Sequence, residues 1–378
     1  MSLTSIKIKF NRFALLIVMD INGKLFQKVT RVLIFFLIIC GLFINKLSAQ
    51  VGGNNSFDFL SLVSSARIAS MGGDFLSIND GDITLALNNP SLINSTLNHH
   101  LSLSIVDYYA DINYGFAAYS HSFEKYGSFV GAVQFVNYGK FDYADNTGII
   151  NGRFGASELA MQIGWARAIT PKWSIGSNFK YIYSSFEGYN SHGMALDFAG
   201  SFFDDENGFS SSFIVKNIGW QVKSYTSGNK EEFPFEIQFG LSKRLKHLPF
   251  RYSLLVNHLN KWDVSYHNPY DTNSDYTLLN DAENTNDASL KFGDQLFRHI
   301  VIGGELLLSE NFILRLGYNY KRRKELGVDS KMSTVGFSWG FEFKISRFRL
   351  AYARSAYHLA GSPNYFTITT NIAELFKR

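Results

Sequence analysis

From about His99 to the last residues, the chain alternates apolar with polar or small side chains, one for one, in stretch after stretch. Successive residues of a β-strand point to opposite faces of the sheet, so each such stretch has one apolar and one polar face. Trp173, Ile175, Phe179, Tyr181 and Tyr183 share one parity, while Ser174, Gly176, Asn178, Lys180 and Ser184 share the other. Phe235, Ile237, Phe239 and Leu241 alternate with Glu236, Gln238, Gly240 and Ser242. Phe312, Leu314, Leu316, Tyr318 and Tyr320 alternate with Arg315, Gly317, Asn319 and Lys321. The same pattern recurs in Val335, Phe337, Trp339, Phe341 and Phe343 against Thr334, Gly336, Ser338, Gly340, Glu342 and Lys344. Alternation alone does not say which face meets solvent, because a soluble sandwich alternates too.

The connections decide it. Strands read at 100–107, 112–123, 126–138, 156–168, 172–186, 192–204, 208–219, 233–245, 249–260, 297–309, 311–323, 331–344, 347–355 and 363–371 number about fourteen, the even count of a closed bacterial barrel. Every second connection is then a tight turn: Glu124-Lys125, Thr170-Pro171-Lys172, Asp205-Glu206-Asn207, Lys246-His247-Leu248, Glu310 and Ile345-Ser346. The others include the long segments 139–155, 220–232 and 261–296. Short periplasmic turns alternating with longer extracellular loops predict an all-β, antiparallel up-and-down transmembrane barrel with both termini on the periplasmic side.

Composition agrees with that solvent. Aromatic residues make up 16% of the chain, with 35 Phe and 20 Tyr, yet only 18% is charged. A barrel spreads its lipid-facing surface over alternate residues and carries aromatic girdles, so it never needs a long apolar run. Only six prolines occur, as ladders that need backbone donors require.

The single long apolar run, Val32 to Ile44, follows Lys24, Lys28 and Arg31 and precedes Leu47-Ser48-Ala49-Gln50. A basic region, about a dozen apolar residues and a small residue at the cleavage point describe a secretory signal peptide. The expected organisation is a signal peptide at 1–49 cleaved after Ala49, a plug-like segment at 50–98 and the barrel at 99–378. Met19 is a more ordinary start than Met1, so residues 1–18 are read as an over-extended start. Residues 1–49 hold seven Lys/Arg against one acidic residue, leaving 29 basic and 31 acidic residues in the remainder. The formal charge of +4 therefore supports no nucleic-acid partner. Cys40, the only cysteine, lies inside the signal segment, where Ile38 and Ile39 occupy positions a lipoprotein signal fills with small residues.

Apparent catalytic and metal motifs dissolve on inspection. Gly336-Phe337-Ser338-Trp339-Gly340 matches the serine-hydrolase elbow, but that chemistry needs a strand-turn-helix corner with His and Asp partners, and Ser338 is expected mid-strand facing the lumen. Asp271-Thr272-Asn273-Ser274-Asp275 resembles the start of a calcium loop, yet Tyr276 replaces its glycine and Ala282 its bidentate Glu. His99-His100 lack a Cys or carboxylate at ligand spacing and suit a membrane interface. No catalytic residue, metal or cofactor is expected. Lys180, Glu236, Glu305, Arg315, Lys321, Glu342, Lys344 and Arg349 fall on the inward parity, where they are expected to cross-brace the lumen.

Residues 57–98 break the alternation: Phe57-Asp58-Phe59-Leu60-Ser61-Leu62, Ser65-Ala66-Arg67-Ile68-Ala69-Ser70-Met71-Gly72-Gly73, the acidic Asp80 and Asp82, and Leu85-Ala86-Leu87-Asn88-Asn89-Pro90-Ser91. Gly72-Gly73 permits a tight backbone path and Pro90 ends a helical stretch near Leu85. A short helix and loop folded inside the barrel is predicted, with Arg67 and Asp82 pairing with lumen charges.

This arrangement of Ala-Arg, Gly-Gly, an acidic stretch and Asn-Pro-small ahead of the first strand resembles the N-terminal signature of the FadL-type fourteen-stranded barrels. Its particular wording, including Arg67, Gly72, Gly73, Asn88, Asn89 and Pro90, is most similar to the PorQ family of the Bacteroidota type IX secretion system. The resemblance implies a non-enzymatic outer-membrane barrel of the attachment complex, holding a PorZ-like surface protein beside PorU and PorV. Membrane lipids and lipopolysaccharide are its expected surroundings. Residues expected to face the partner are Tyr138, Phe141, Tyr143, Trp220, Tyr225, Trp262, Tyr266, Tyr270 and Tyr276, since aromatic residues anchor protein interfaces. The alternative is a FadL-type channel for hydrophobic compounds. That reading calls for an inward strand kink as a lateral exit, and nothing in the strand sequences marks one.

Overall fold

The computed structural model describes residues 55–228, 230–265, 285–327, 333–358 and 361–376. The signal segment, Tyr266, Tyr270, Tyr276 and the calcium-like loop at 271–275 lie outside them. Among the described residues no helix is long and apolar enough to cross a membrane. The strands do that work.

Fourteen strands close into a barrel with purely sequential antiparallel pairing. They are β1 (His100–Asp107), β2 (Asn113–Phe123), β3 (Gly127–Ala144), β4 (Ile150–Thr170), β5 (Trp173–Phe186), β6 (Tyr189–Asp204), β7 (Phe209–Lys223), β8 (Glu236–Arg244), β9 (Phe250–Val256), β10 (Ile300–Ser309), β11 (Phe312–Asn319), β12 (Phe337–Ile345), β13 (Phe348–Ser355) and β14 (Asn364–Asn371). β1 zips to β14 from His100↔Asn371 to Asp107↔Asn364, which leaves no sheet edge unpaired in lipid.

The barrel is inside-out relative to a soluble protein. Along β5, Ser174, Gly176, Asn178, Lys180, Ile182 and Ser184 are buried, while Trp173, Ile175 and Phe179 are exposed. β12 buries Ser338, Gly340 and Glu342 and exposes Phe337, Trp339 and Phe343. A closed cylinder with rings and aliphatic chains outward and hydroxyls and charges inward spans a membrane, because only an apolar solvent makes that burial favourable.

One end carries tight turns, for example 171–172, 310–311 and 346–347, and the other carries the connections 224–235, 257–299 and 320–336. By the geometry of inserted barrels the tight-turn end is periplasmic. Glu187-Gly188 breaks the rule, being a two-residue turn at the opposite end with Glu187 at φ +57°.

Two expected loops and one expected strand differ in the structure. The segment 139–155 is not a loop but the outward continuation of β3 and β4, closed by 145–149. The strand expected at 311–323 stops at Asn319, whose side chain accepts from Arg322 N and caps a helix at Tyr320–Leu326. The segment 261–296 contains the beginning of a helix at Thr285–Arg298. The helices in chain order are α1 (Ala66–Ser70), α2 (Ile83–Asn88), α3 (Thr285–Arg298), α4 (Tyr320–Leu326) and α5 (Ile372–Phe376).

Candidate functional site

The plug, residues 55–99, runs down the lumen from the extracellular end to the periplasmic end. At its top, Asn55 bridges to Glu232, and Ser56 N donates to Glu232 O at 2.9 Å. At its bottom, Asn371 Nδ2 donates to Asn98 O at 3.2 Å, just before β1 begins. Between these ends the wall's side chains satisfy plug backbone groups that a helix or sheet would otherwise have to satisfy. Gln134 Nε2 donates to Phe59 O (3.1 Å), Tyr114 OH to Val63 O (3.0 Å), Ser355 Oγ to Ala69 O (3.1 Å) and Gln162 Nε2 to Leu87 O (2.9 Å).

Small inward residues let the plug seat against the wall. A Cβ at Gly317 would fall 2.0 Å from Met71 C, and one at Gly176 would fall 2.5 Å from Pro90 C. Gly72 and Gly73 take φ +100° and +129°, a path that only glycine follows without strain. Gly72 O accepts from Asn319 Nδ2 (3.1 Å) and from an Arg322 guanidinium nitrogen (3.2 Å). Pro90 opens a short 3₁₀ turn directly after α2, and the buried Asn89 turns the chain there. Its Nδ2 donates to Leu76 O at 2.6 Å, and its Oδ1 accepts from Ser91 N and Oγ. Asn88 lines a lumen cavity of about 30 Å³ with Leu60, Gln134 and Lys180.

The centre of the lumen is a charge lattice. Arg67, on α1, pairs with Asp80 (2.7 Å), Asp82 (2.9 Å) and the wall's Glu305 (3.0 Å). Arg251 of β9 reaches Asp80 and Glu305, both at 2.8 Å. Arg315 of β11 bonds Glu305 and Glu342 at 2.7 Å each, and Arg349 adds a contact to Glu342 at 3.2 Å. Four arginines thus face four carboxylates. Burial pushes the Asp80 carboxyl upward, but the Arg67 and Arg251 guanidiniums more than offset it and hold the group well below the usual carboxylate range. Asp82 also caps α2, its Oδ1 accepting from Thr84 N at 2.8 Å.

A second set joins β5, β6 and β7. Lys180 pairs with Asp197 at 2.7 Å and donates to Asn217 Oδ1 at 2.9 Å. Asn217 takes φ +57° at a register shift between β6 and β7. This bulge is the inward irregularity the strand sequences did not reveal, and it is filled. Asn217 N donates to Asp197 Oδ1 (2.8 Å) and its Nδ2 to Pro234 O (2.9 Å).

A further cavity, also about 30 Å³, is lined by Ser65, Thr84, His100, Glu342 and Arg349. Ser65 Oγ, Thr84 Oγ1 and His100 Nδ1 lack a protein hydrogen-bond partner there. It offers room for a water molecule, not for a solute.

At the rim, β3 pairs with β2 only as far as Asn137, and β4 with β5 only as far as Ala156. Beyond those residues β3 and β4 project as a free two-stranded ribbon. Phe141 stacks on Phe154 at 5.3 Å, and Tyr143 lies 5.0 Å from Phe154. On the opposite face Arg153 pairs with Asp142 at 2.8 Å. Ile149 and Ile150 are exposed at the tip.

The expected partner residues do not form one surface. Phe141 and Tyr143 sit on the ribbon. Trp220 is not in a loop but exposed near the outer end of β7, opposite Met194, in the position of a girdle residue. Tyr225 and Tyr138 are turned to the wall, bonding Ser184 Oγ (2.5 Å) and Glu158 Oε2 (2.5 Å). Trp262 is exposed beside α3. Lys321 lies on α4 rather than on an inward strand position, and Lys344 is exposed at the periplasmic rim. Ser338 faces the lumen and accepts from Arg322 at 3.1 Å. His99 bonds Tyr119 OH at 2.9 Å, and no metal-holding cluster occurs among the described residues.

Sequence reading missed Arg251, Asp197, Asn217 and Arg322. Arg251 was detectable, since Arg251 and Ser253 alternate with Tyr252 and Leu254 on β9. Asn217 was not, because a bulge shifts parity without changing composition.

No family model and no curated protein matches this chain. Among solved structures, the toluene transporter TodX of Pseudomonas putida is similar at TM-score 0.45 and 11% identity, over 82% of this chain and 97% of that one. The monoaromatic hydrocarbon channel CymD gives 0.42 and 11%, over 82% and 96%. The porin KdgM, in complex with disordered oligogalacturonate, gives 0.30 and 6%, over 72% and 98%.

Proposed function

We propose that this chain is a non-enzymatic outer-membrane barrel of the PorQ kind, which holds a PorZ-like surface protein in the type IX attachment complex with PorU and PorV. The observation that carries the reading is a lumen occupied from end to end by a plug locked through Arg67, Asp80, Asp82 and Glu305, together with a ribbon that projects from the outer rim. A filled, cross-braced interior supports work done on the outside. The ribbon's aromatic face, Phe141, Tyr143 and Phe154, is the docking element, because rigid aromatic side chains on a strand pair supply contact area at small entropic cost.

The test is capture of the surface protein from solubilised outer membranes by wild type and by a chain whose 139–154 ribbon is replaced by a two-residue turn. Loss of the PorZ-like protein with the ribbon supports the reading. Retention by the shortened chain overturns it.

The bulge at Asn217 favours a second reading, a channel for hydrophobic compounds, since a lateral exit needs a break of this kind. Its filling by Lys180, Asp197 and Pro234 speaks for a brace instead. Growth of a deletion strain on long-chain fatty acids separates the two: unchanged growth fits an anchor, and failure to grow fits a channel.

A further inference from the structure

Beside β10 an exposed apolar cluster carries the lipid-facing surface past the end of the strand. α3 passes through His299 directly into β10, where Ile300 pairs with Val256 and Ile302 is exposed to lipid. In the last turns of α3, Phe292, Leu296 and Phe297 are all exposed. Trp262 joins them, packing on Phe292 at 5.1 Å and stacking on His299 at 5.6 Å while half its surface stays open. Phe297 lies 5.8 Å from the ring of Tyr320, which opens α4 directly after β11. Through His299 the cluster is continuous with the outer end of β10.

Its charge suits the same location. Among the described side chains beside it, Arg298 and Lys324 stand against Asp294, Asp263 next to Trp262 accepts from Gln295 of α3 at 2.9 Å, and Arg323 follows on α4. Arg298 and Lys324 share Asp294, at 2.7 and 3.7 Å, while Lys321 turns away to His258 Nε2 at 3.3 Å and to Glu325 at 4.0 Å. Arg323 meets no carboxylate in these contacts, donating instead to Ser333 O and Oγ at 2.7 and 2.8 Å. An apolar stripe on a helix, an exposed tryptophan and a basic excess just above the hydrocarbon edge are what an interfacial helix presents to anionic headgroups.

We propose that α3 and α4 form a seat for an anionic glycolipid of the outer leaflet. Phe292, Leu296, Phe297 and Trp262 sink to the acyl boundary, and Arg323 and Lys324 take the glycolipid phosphates. The seat is independent of the secretion reading, since it needs only the barrel and its orientation. It holds the outer mouth at a fixed height in the leaflet and gives the rim a lipid-specific contact.

Site-directed spin labelling of the full chain with Cys40 replaced by serine tests the seat. The labels are L296C, with I302C as the membrane reference and T147C as the aqueous one, in bilayers of phosphatidylcholine with or without lipid A. Heat-modifiable migration first confirms that each variant is folded. The seat predicts that L296C collides with oxygen as I302C does and is shielded from an aqueous nickel chelate. It also predicts that R323Q/K324Q weakens lipid A retention, read by native mass spectrometry, by roughly thirtyfold, the factor corresponding to two lost basic contacts. An aqueous profile at L296C matching T147C overturns the proposal. So does unchanged lipid A retention in R323Q/K324Q, or protection of L296C from both reagents on intact cells, which indicates a protein cover.

Discussion

At the scale of single residues, Glu305 is a hub between plug and wall, because the plug's Arg67 and the wall's Arg251 and Arg315 converge on it. Neutralising it strands buried positive charge, and breaking a buried pair in this way costs about 3–5 kcal/mol. E305Q is expected to lower the thermal unfolding temperature in detergent sharply, whereas E325Q on the exposed side of α4 shifts stability by less than about 0.5 kcal/mol. Gly317 makes a complementary prediction. G317A drives a methyl into the Met71 backbone, so the plug should become sensitive to protease while the strands stay protected. Asp80 gives the plug one pH-dependent tie. Its carboxyl is held below the ordinary range, so its share of stability is complete above about pH 4, the unfolded value, and falls as pH drops further. Amide protection factors in the plug, taken relative to the intrinsic exchange rate at each pH, should therefore be constant from neutral to mildly acidic conditions and fall only in strong acid. A loss of protection on mild acidification would show that the lattice is not the lock. Of these residues Arg67, Glu305 and Arg315 were legible from parity and motif, but their partnership was not. Arg67 and Glu305 are 238 positions apart, and no local pattern tells a charge which other charge it will meet.

At the scale of elements, the ribbon is the clearest departure from the expected loops. Its residues alternate and its ends are continuous with β3 and β4, yet neither neighbouring strand follows it. Cutting it back should leave barrel folding intact, because every wall ladder ends below it. The expected result is unchanged heat-modifiable migration and unfolding temperature for the chain lacking 139–154. A collapse of the barrel would mean that the ribbon nucleates β3–β4 pairing. α4 teaches the reverse lesson. Tyr320 and Lys321 continue the period-two pattern of β11, but the Asn319 cap and the run Lys321, Arg322, Arg323, Lys324 and Glu325 favour a helix once no partner strand is at hand. Propensity and capping override periodicity where the sheet ends.

At the scale of the whole molecule, the prediction concerns conduction. With the plug bonded along the wall and the described cavities near 30 Å³, the wild-type chain should be electrically silent in planar bilayers. Deleting 57–97 should open a pore wide enough for ions. Steady conductance by the intact chain would refute the closed lumen and shift weight to the channel reading.

The order of amino acids by itself determined the number of strands, which face of each meets lipid and which end carries the tight turns. Those follow from a two-residue period and from connection length, both local quantities. It also marked residues 57–98 as a separate kind of segment, through the loss of that period. Only the tertiary structure decided how the plug threads the lumen, which carboxylate each arginine takes, where β7 bulges and how far β3 and β4 rise above the rim. Each of these depends on bringing distant positions together in a confined, low-dielectric interior. There the pairing of one charge fixes the options of the next.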